Sequence, residues 1–247
     1  MRLHLPHEAS SGALAAEPRE LLALRDVVKS WRSGSPLAPV VRSVLRGVSL
    51  SIAEGEVLAL FADAEGGATT LLLIAAGLAS PDSGRVHRAN SIRGGGVLLV
   101  PTYPSLPPAW TPRDVVSASI PEDWPSTSAA SAISRALSAH GLTSIADIPL
   151  RRLSAAAPWR AALAAANLAA PSLLLVDRAP ADETAASHAQ PAAAVAEISP
   201  AASACIRILR LGEAAPAGAR PARLEQGRVT GLSSLPCVLG NAAPGAA

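Results

Sequence analysis

EVLALFADAEGGATTLLLIAAGLAS, residues 56–80, is the stretch on which the reading of this chain turns. Val57 to Phe61 form an apolar run of strand length, a small-residue loop follows, and an apolar helix begins at about Thr69. Strand, glycine-containing loop and helix in that order is the layout of a phosphate-binding loop. In such a loop, free N–H groups at a helix N-terminus hold phosphate oxygens, a lysine neutralises charge and a hydroxyl holds magnesium. The pattern G-x-x-x-x-G-K-[ST] falls on Ala62 to Thr69, which read A-D-A-E-G-G-A-T. Gly67, preceded by Gly66, survives, and so do the hydroxyls of Thr69 and Thr70. The first glycine is replaced by Ala62 and the lysine by Ala68.

No lysine is at hand to compensate, because Lys29 is the only one in the chain. Asp63 and Glu65 also bring two carboxylates into a loop that ordinarily carries one positive charge. Charges about 4 Å apart at a partly solvated site interact by roughly 1–4 kcal/mol. A lost charge-assisted hydrogen bond costs roughly 1.5–3 kcal/mol more. Affinity for a nucleoside triphosphate is therefore expected to fall by several decades. With phosphate disfavoured, Asp63 or Glu65 is expected in or beside the phosphate position, since a helix N-terminus favours an anion by about 0.3–1 kcal/mol.

The rest of the chain is consistent with one large domain carrying an inserted subdomain, at 247 residues and 49% hydrophobic content. A net charge of +2 is far from the basic imbalance of a nucleic-acid binder, so no nucleic-acid partner is expected. Cys205 and Cys237 do not make a disulfide framework and read as idle thiols in a reducing compartment. The longest apolar stretch near the loop, residues 71–79, is far short of the roughly 20 residues of a membrane span. The N-terminus lacks a secretory apolar core, and a soluble, cytoplasmic protein is expected. Its five histidines show no metal-ligand spacing, so no metal site of their own is expected.

Taken in order, residues 1–20 read as a flexible lead, 21–31 as a strand and 32–41 as a loop. Residues 44–61 read as two strands around the turn 53–56, and 81–84 as a further turn. After the strand in 94–101, the Pro-, Ser- and Ala-rich stretch from Thr102 carries a helix over about 128–142 and another from Ala155 to Ala169. Pro158 lies in the first turn of the latter, where proline is tolerated. SLLLVD, residues 172–177, has the continuous apolar character of a central parallel strand. Residues 205–209 read as another strand, 222–229 close the folded part, and the tail 231–247 reads as flexible. Strands alternating with helices predict an α/β fold with a parallel sheet and a helical insertion.

These landmarks together resemble the nucleotide-binding subunit of ATP-binding cassette (ABC) transporters. The resemblance runs over about residues 21–230 and is carried by VLRGVSLSIAEGEVLAL before the loop and TTLLLIAAGLASPDSGRV after it. VPTYPSLPPAWTPRDVV at 100–116, LSAAAPWRAALAAANLAAPSLLLVD at 153–177 and LEQGRV at 224–229 continue it. It implies a P-loop NTPase-like cassette with a parallel-sheet core, an antiparallel β subdomain and a helical subdomain over about 102–165. It also implies ATP with magnesium as ligands, a membrane permease and a second cassette as partners, and a place at the inner face of the cell membrane.

The departures fall on chemistry. The family's glutamine after the third core strand is matched by Thr102. Its signature L-S-G-G-Q is matched by Leu153, Ser154, Ala155, Ala156 and Ala157, so methyl groups replace the glycines that admit phosphate. Asp177 matches the acid of the magnesium shell, but the next residue, which should be the catalytic glutamate, is Arg178, which cannot accept a proton. Arg210 lies where the switch histidine is expected, and Thr184 replaces an interface aspartate. Trp31 matches the aromatic that stacks on adenine, or is an ordinary strand-end aromatic. Thr69 and Thr70 also suit a plain helix cap, and Arg178 and Arg210 are expected either to be solvated or, the favoured reading, to pair with Asp177. The expectation is a pseudo-ATPase cassette holding ATP and magnesium weakly, with a structural or regulatory role. Two alternatives remain, a slow ATPase completed by a partner cassette and a soluble interaction protein on the same fold.

Overall fold

Residues 57–62 (VLALFA) and 173–176 (LLLV) are apolar at every position, a composition that only a strand covered on both faces can bury. In the computed structural model they are neighbours-but-one in a parallel sheet. The structure describes residues 19–35, 38–63, 65–92, 96–121, 124–181 and 204–231. Within them run β1 (Glu20–Ser35), β2 (Ala38–Ala53), β3 (Val57–Ala62), α1 (Ala68–Ala76), β4 (Ser83–Arg88) and β5 (Val97–Val100). After these come α2 (Pro112–Ser117), α3 (Ser126–Ala139), α4 (Ala156–Ala169), β6 (Leu173–Val176), β7 (Cys205–Leu209), β8 (Arg220–Glu225) and β9 (Arg228–Gly231).

Among the described residues the core sheet has the order β5-β6-β7-β3-β8-β9, parallel except for β9, which closes a hairpin with β8. A second sheet, β2-β1-β4, is antiparallel throughout. The sheets and α1 share one apolar cluster, in which Leu24, Leu45 and Ile52 of the antiparallel sheet meet Leu58, Leu60, Leu72 and Ile74. On the other side Trp159 and Leu163 of α4 pack on Val100, Leu174 and Val176. The insertion has a third cluster of its own, with Val116, Leu137, Leu142, Ala161 and Ala164. The expected architecture of parallel core, antiparallel β subdomain and helical insertion is thus present.

One expectation fails. Residues 32–35 and 38–41 are strand and not loop: β1 and β2 pair on with Trp31 opposite Arg42 and Ser35 opposite Ala38. Ser33, Gly34, Ser35 and Pro39, which suggested a loop, lie beyond the last β1–β4 pair, Val28 with Ser83, where β1 and β2 pair only with each other. β4, which begins in the expected turn at 81–84, had no signal in its sequence SGRVHR.

The insertion starts cleanly. Thr111 caps α2 by accepting from Asp114 N–H, and Asp114 returns the bond to Thr111 N–H, a capping box with Pro112 at the first helical position. α3 ends at His140 and Gly141, and His140 is buried beside α4, where Asn167 donates to its Nε2 at 3.1 Å. Burial, reinforced by the charge of Arg160, pushes the His140 pKa down to about 4. No helix among the described residues is long and apolar enough to cross a membrane.

Candidate nucleotide site

The site lies where the loop after β3 meets the C-terminal end of β6, with β7 between the two strands. Crevices outside the carboxyl ends of parallel strands are where open α/β sheets bind ligands. Ala62 ends β3 in the core, and Asp63 and Glu65 are exposed. Asp63 O accepts from Gly66 N–H at 3.1 Å and so closes the turn. Gly67 follows with φ 90° as the N-cap of α1. A Cβ there would lie 2.8 Å from both Val44 Cγ1 and Val44 O, so this glycine is required by backbone conformation and by the close approach of β2.

The two threonine hydroxyls do not cap α1, which has no side-chain cap. Thr69 Oγ1 donates to Asp177 Oδ2 at 2.8 Å, and Thr70 Oγ1 accepts from Trp31 Nε1 at 3.1 Å. Trp31 also carries Lys29 Nζ over its ring, 4.8 Å from the centroid, while 43% of it stays exposed. That ammonium pairs with Asp82 at 2.8 Å, and this bond holds the Asp82 carboxyl below its ordinary pKa. Trp31 is therefore tied to the phosphate-loop helix by one edge and stacked by a cation on one face.

Asp177 is buried, and both its oxygens are engaged, Oδ2 by Thr69 and Oδ1 by the Arg178 N–H at 2.9 Å. Its own N–H donates to Val100 O, so it is fixed to the β5–β6 edge. The expected pairing of Arg178 and Arg210 with its carboxylate does not occur. Arg178 Nη2 crosses to the loop and donates to Asp63 O at 2.7 Å. Arg210 turns to Glu213, 3.1 Å away, and to Ala179 O at 2.6 Å. Each guanidinium is engaged elsewhere, Arg178 by a main-chain carbonyl and Arg210 by the Glu213 carboxylate and a carbonyl.

The loop acids do not behave as expected either. Glu65 pairs with Arg42 of β2 at 2.5 Å, and among the described residues neither carboxylate accepts a hydrogen bond from a loop N–H. The argument that the loop is left with uncompensated negative charge is thus corrected. Arg42 and Arg178, from two other elements, face it. Arg42 was missed because its strand was read as a loop; its register opposite Trp31 becomes visible only with the hairpin.

Other residues of the pattern stand elsewhere. Thr102 is half-buried after β5, and Ala68 is buried at the first turn of α1. At the start of α4, Ser154 and Ala155 are exposed but Ala156 and Ala157 are buried, so only the Ala155 methyl borders solvent there, not the methyls of both former glycines. Asp182, Thr184, His188 and Cys237 lie outside the described residues. Cys205, buried in β7, has its thiol pKa pushed up to about 12 by burial, which makes it inert.

Thr69 Oγ1 and Asp177 Oδ2 are a pair of hard oxygens side by side. Among the described residues no group of three or more His, Cys, Asp or Glu would hold a metal unaided. The pair fits a magnesium ion that brings its other ligands with it, as phosphate-bound magnesium does.

The sheet order, the glycine-capped helix and this pair define the class as a phosphate-loop NTPase-type cassette. The comparisons narrow it. The family described as ABC transporter matches residues 45–181. The lipoprotein-releasing system ATP-binding protein LolD of Roseobacter denitrificans is 34% identical over 172 residues, 64% of this chain and 74% of that protein. The cytochrome c biogenesis ATP-binding export protein CcmA of Cupriavidus necator is 30% identical over 59% of this chain and 66% of its own. A dimeric structure of a bacterial ABC transporter cassette superposes with a TM-score of 0.68 at 18% identity, covering 87% of this chain and 100% of that one. The chain belongs to the ABC transporter family as a nucleotide-binding subunit.

Proposed function

We propose that this subunit is a pseudo-ATPase, a cassette over about residues 21–230 with a structural or regulatory role in a transport complex. The observation that carries the reading is Arg178. It follows Asp177 at the end of β6, in the place of the proton-accepting glutamate, and its guanidinium is committed to Asp63 O. General-base assistance contributes about 10²–10⁴-fold to rate, and a guanidinium supplies none of it. Thr102, Arg210 and the alanines at 155–157 remove the remaining side chains of the pattern.

The partners in this reading are a membrane permease and a second cassette, at the inner face of the cell membrane. Tyr103 and Trp110, 68% and 38% exposed in the segment after β5, offer a permease an aromatic surface. If magnesium arrives with a phosphate chain, Thr69 and Asp177 hold it, and the ion supplies neutralisation of phosphate charge. The retained Thr69–Asp177 pair also favours a second reading, a slow ATPase completed by a partner chain.

ATP turnover by the purified full-length chain, alone and reconstituted with a partner cassette, decides between them. No release of phosphate above background is expected. Robust turnover abolished by Asp177→Asn overturns the pseudo-ATPase. Purification of the tagged chain from membranes is expected to bring a multi-span protein with it, and recovery of the chain alone counts against the transport role.

A further inference from the structure

We propose that Arg178 is the phosphate-binding cation of this loop, delivered from the end of β6 in place of the lysine lost at Ala68, so that polyphosphate binding survives where hydrolysis does not. The inference rests on the reading of this subunit as a non-hydrolysing cassette and names what its site still does.

Four observations carry it. The first is position: Nη2 lies 2.7 Å from Asp63 O, the same oxygen that closes the loop turn with Gly66 N–H. The second is anchorage. The Arg178 backbone is held by Asp177 Oδ1 at 2.9 Å, and Asp177 by Val100 O at 2.9 Å, so the side chain springs from a fixed strand end.

The third is availability. The other cations near the loop are matched to carboxylates: Arg42 to Glu65, Lys29 to Asp82 and Arg210 to Glu213. Arg178, among the described residues, meets a neutral carbonyl and no carboxylate. A guanidinium carries five N–H donors, and the contact with Asp63 uses one of them. The fourth is charge. With Glu65 answered by Arg42, the remaining acid of the loop is Asp63, and Arg178 stands beside it. The loop is then near neutral and has a polydentate donor at its mouth. A phosphate group offers that donor a stronger partner than a carbonyl does, because both sides of the bond are then ionised. The residue that removes the base thus restores the cation.

The test uses the full-length chain, titrated calorimetrically with ADP, inorganic pyrophosphate and adenosine, with and without magnesium. ADP and pyrophosphate are expected to bind and adenosine alone is not, since the contact is to phosphate. Arg178→Met should weaken both phosphate ligands about 10-fold or more, while Arg178→Lys, which keeps the charge, stays within about threefold. In the unmodified protein, pyrophosphate should shield Arg178 from phenylglyoxal and leave Arg113 of the insertion reactive, a readout that needs no variant to fold. Absence of pyrophosphate binding at millimolar concentration, equal affinity in Arg178→Met, loss with lysine as large as with methionine, or absence of shielding each overturns the proposal. Those outcomes leave the non-hydrolysing reading standing, because phosphate release tests it separately.

Discussion

The loop after β3 and the start of α4 both carry side chains that differ from the pattern expected of a nucleotide site, and the two stretches are held in different ways. At the loop the polar side chains have partners from other elements: Glu65 meets Arg42, Thr69 meets Asp177, and Arg178 reaches the Asp63 main-chain oxygen. At α4, Ala155, Ala156 and Ala157 stand where the pattern expects two glycines and a glutamine, and two of the methyls are buried. The difference teaches a rule about tolerance. An ionic change at the edge of a core leaves unpaired charge that must be compensated, whereas glycine to alanine at a helix start improves helix propensity and asks for nothing.

Several substitutions would break or sharpen that contrast. The largest effect is expected at Asp177, a buried carboxylate whose replacement by alanine removes its two charge-assisted hydrogen bonds, from the Thr69 hydroxyl and the Arg178 amide. A loss of about 3 kcal/mol is expected in urea unfolding; a loss below about 1 kcal/mol would mean the loop is not held by this network.

On the helical side buried His140 pairs with half-buried Asn167, and it gives the next effect. The His140 pKa lies near 4 when folded, below the ordinary 6.5, so the unfolded chain binds the extra proton between those values. Its contribution is therefore complete above pH 6.5 and is lost as pH falls toward 4. The loss is about 3 kcal/mol at most, from a 2- to 3-unit shift. Comparing stability at pH 7 and pH 4.5 in the wild type and in His140→Leu checks this, since the difference between the two proteins should change with pH in that direction.

Gly67→Ala comes third, at about 2 kcal/mol, from a left-handed backbone and the 2.8 Å approach to Val44. Its melting temperature should fall with no change in net charge or salt response. The reverse substitution at the other region, Ala156→Gly, should cost only about 1 kcal/mol, from helix propensity in the first turn of α4. Smallest is Arg42→Ala. Its ion pair with Glu65 is exposed on both sides, so less than about 1 kcal/mol is expected, and added salt should erase it.

Much of this molecule is legible in one dimension. VLALFA, SLLLVD and CIRIL announce central strands because a buried parallel strand is apolar on both faces. GGATT announces the loop and helix, and Ala68, Arg178 and the alanines at 155–157 announce lost chemistry because each position has one required side-chain type. The sequence alone thus determined the parallel sheet and the position of the glycine loop and helix after β3.

Partners were decided by tertiary structure, because ion pairs join residues that sequence distance does not relate. Arg178 and Asp63 are 115 positions apart, and Thr69 and Asp177 are 108. The order β6-β7-β3 brings their strand ends to one crevice, and only there does it become settled which donor meets which acceptor. Residues 32–41 show the same limit locally. Their turn-forming composition is real, but the pairing that makes them a hairpin is a contact between strands. Composition states what a segment tolerates, and packing selects what it does.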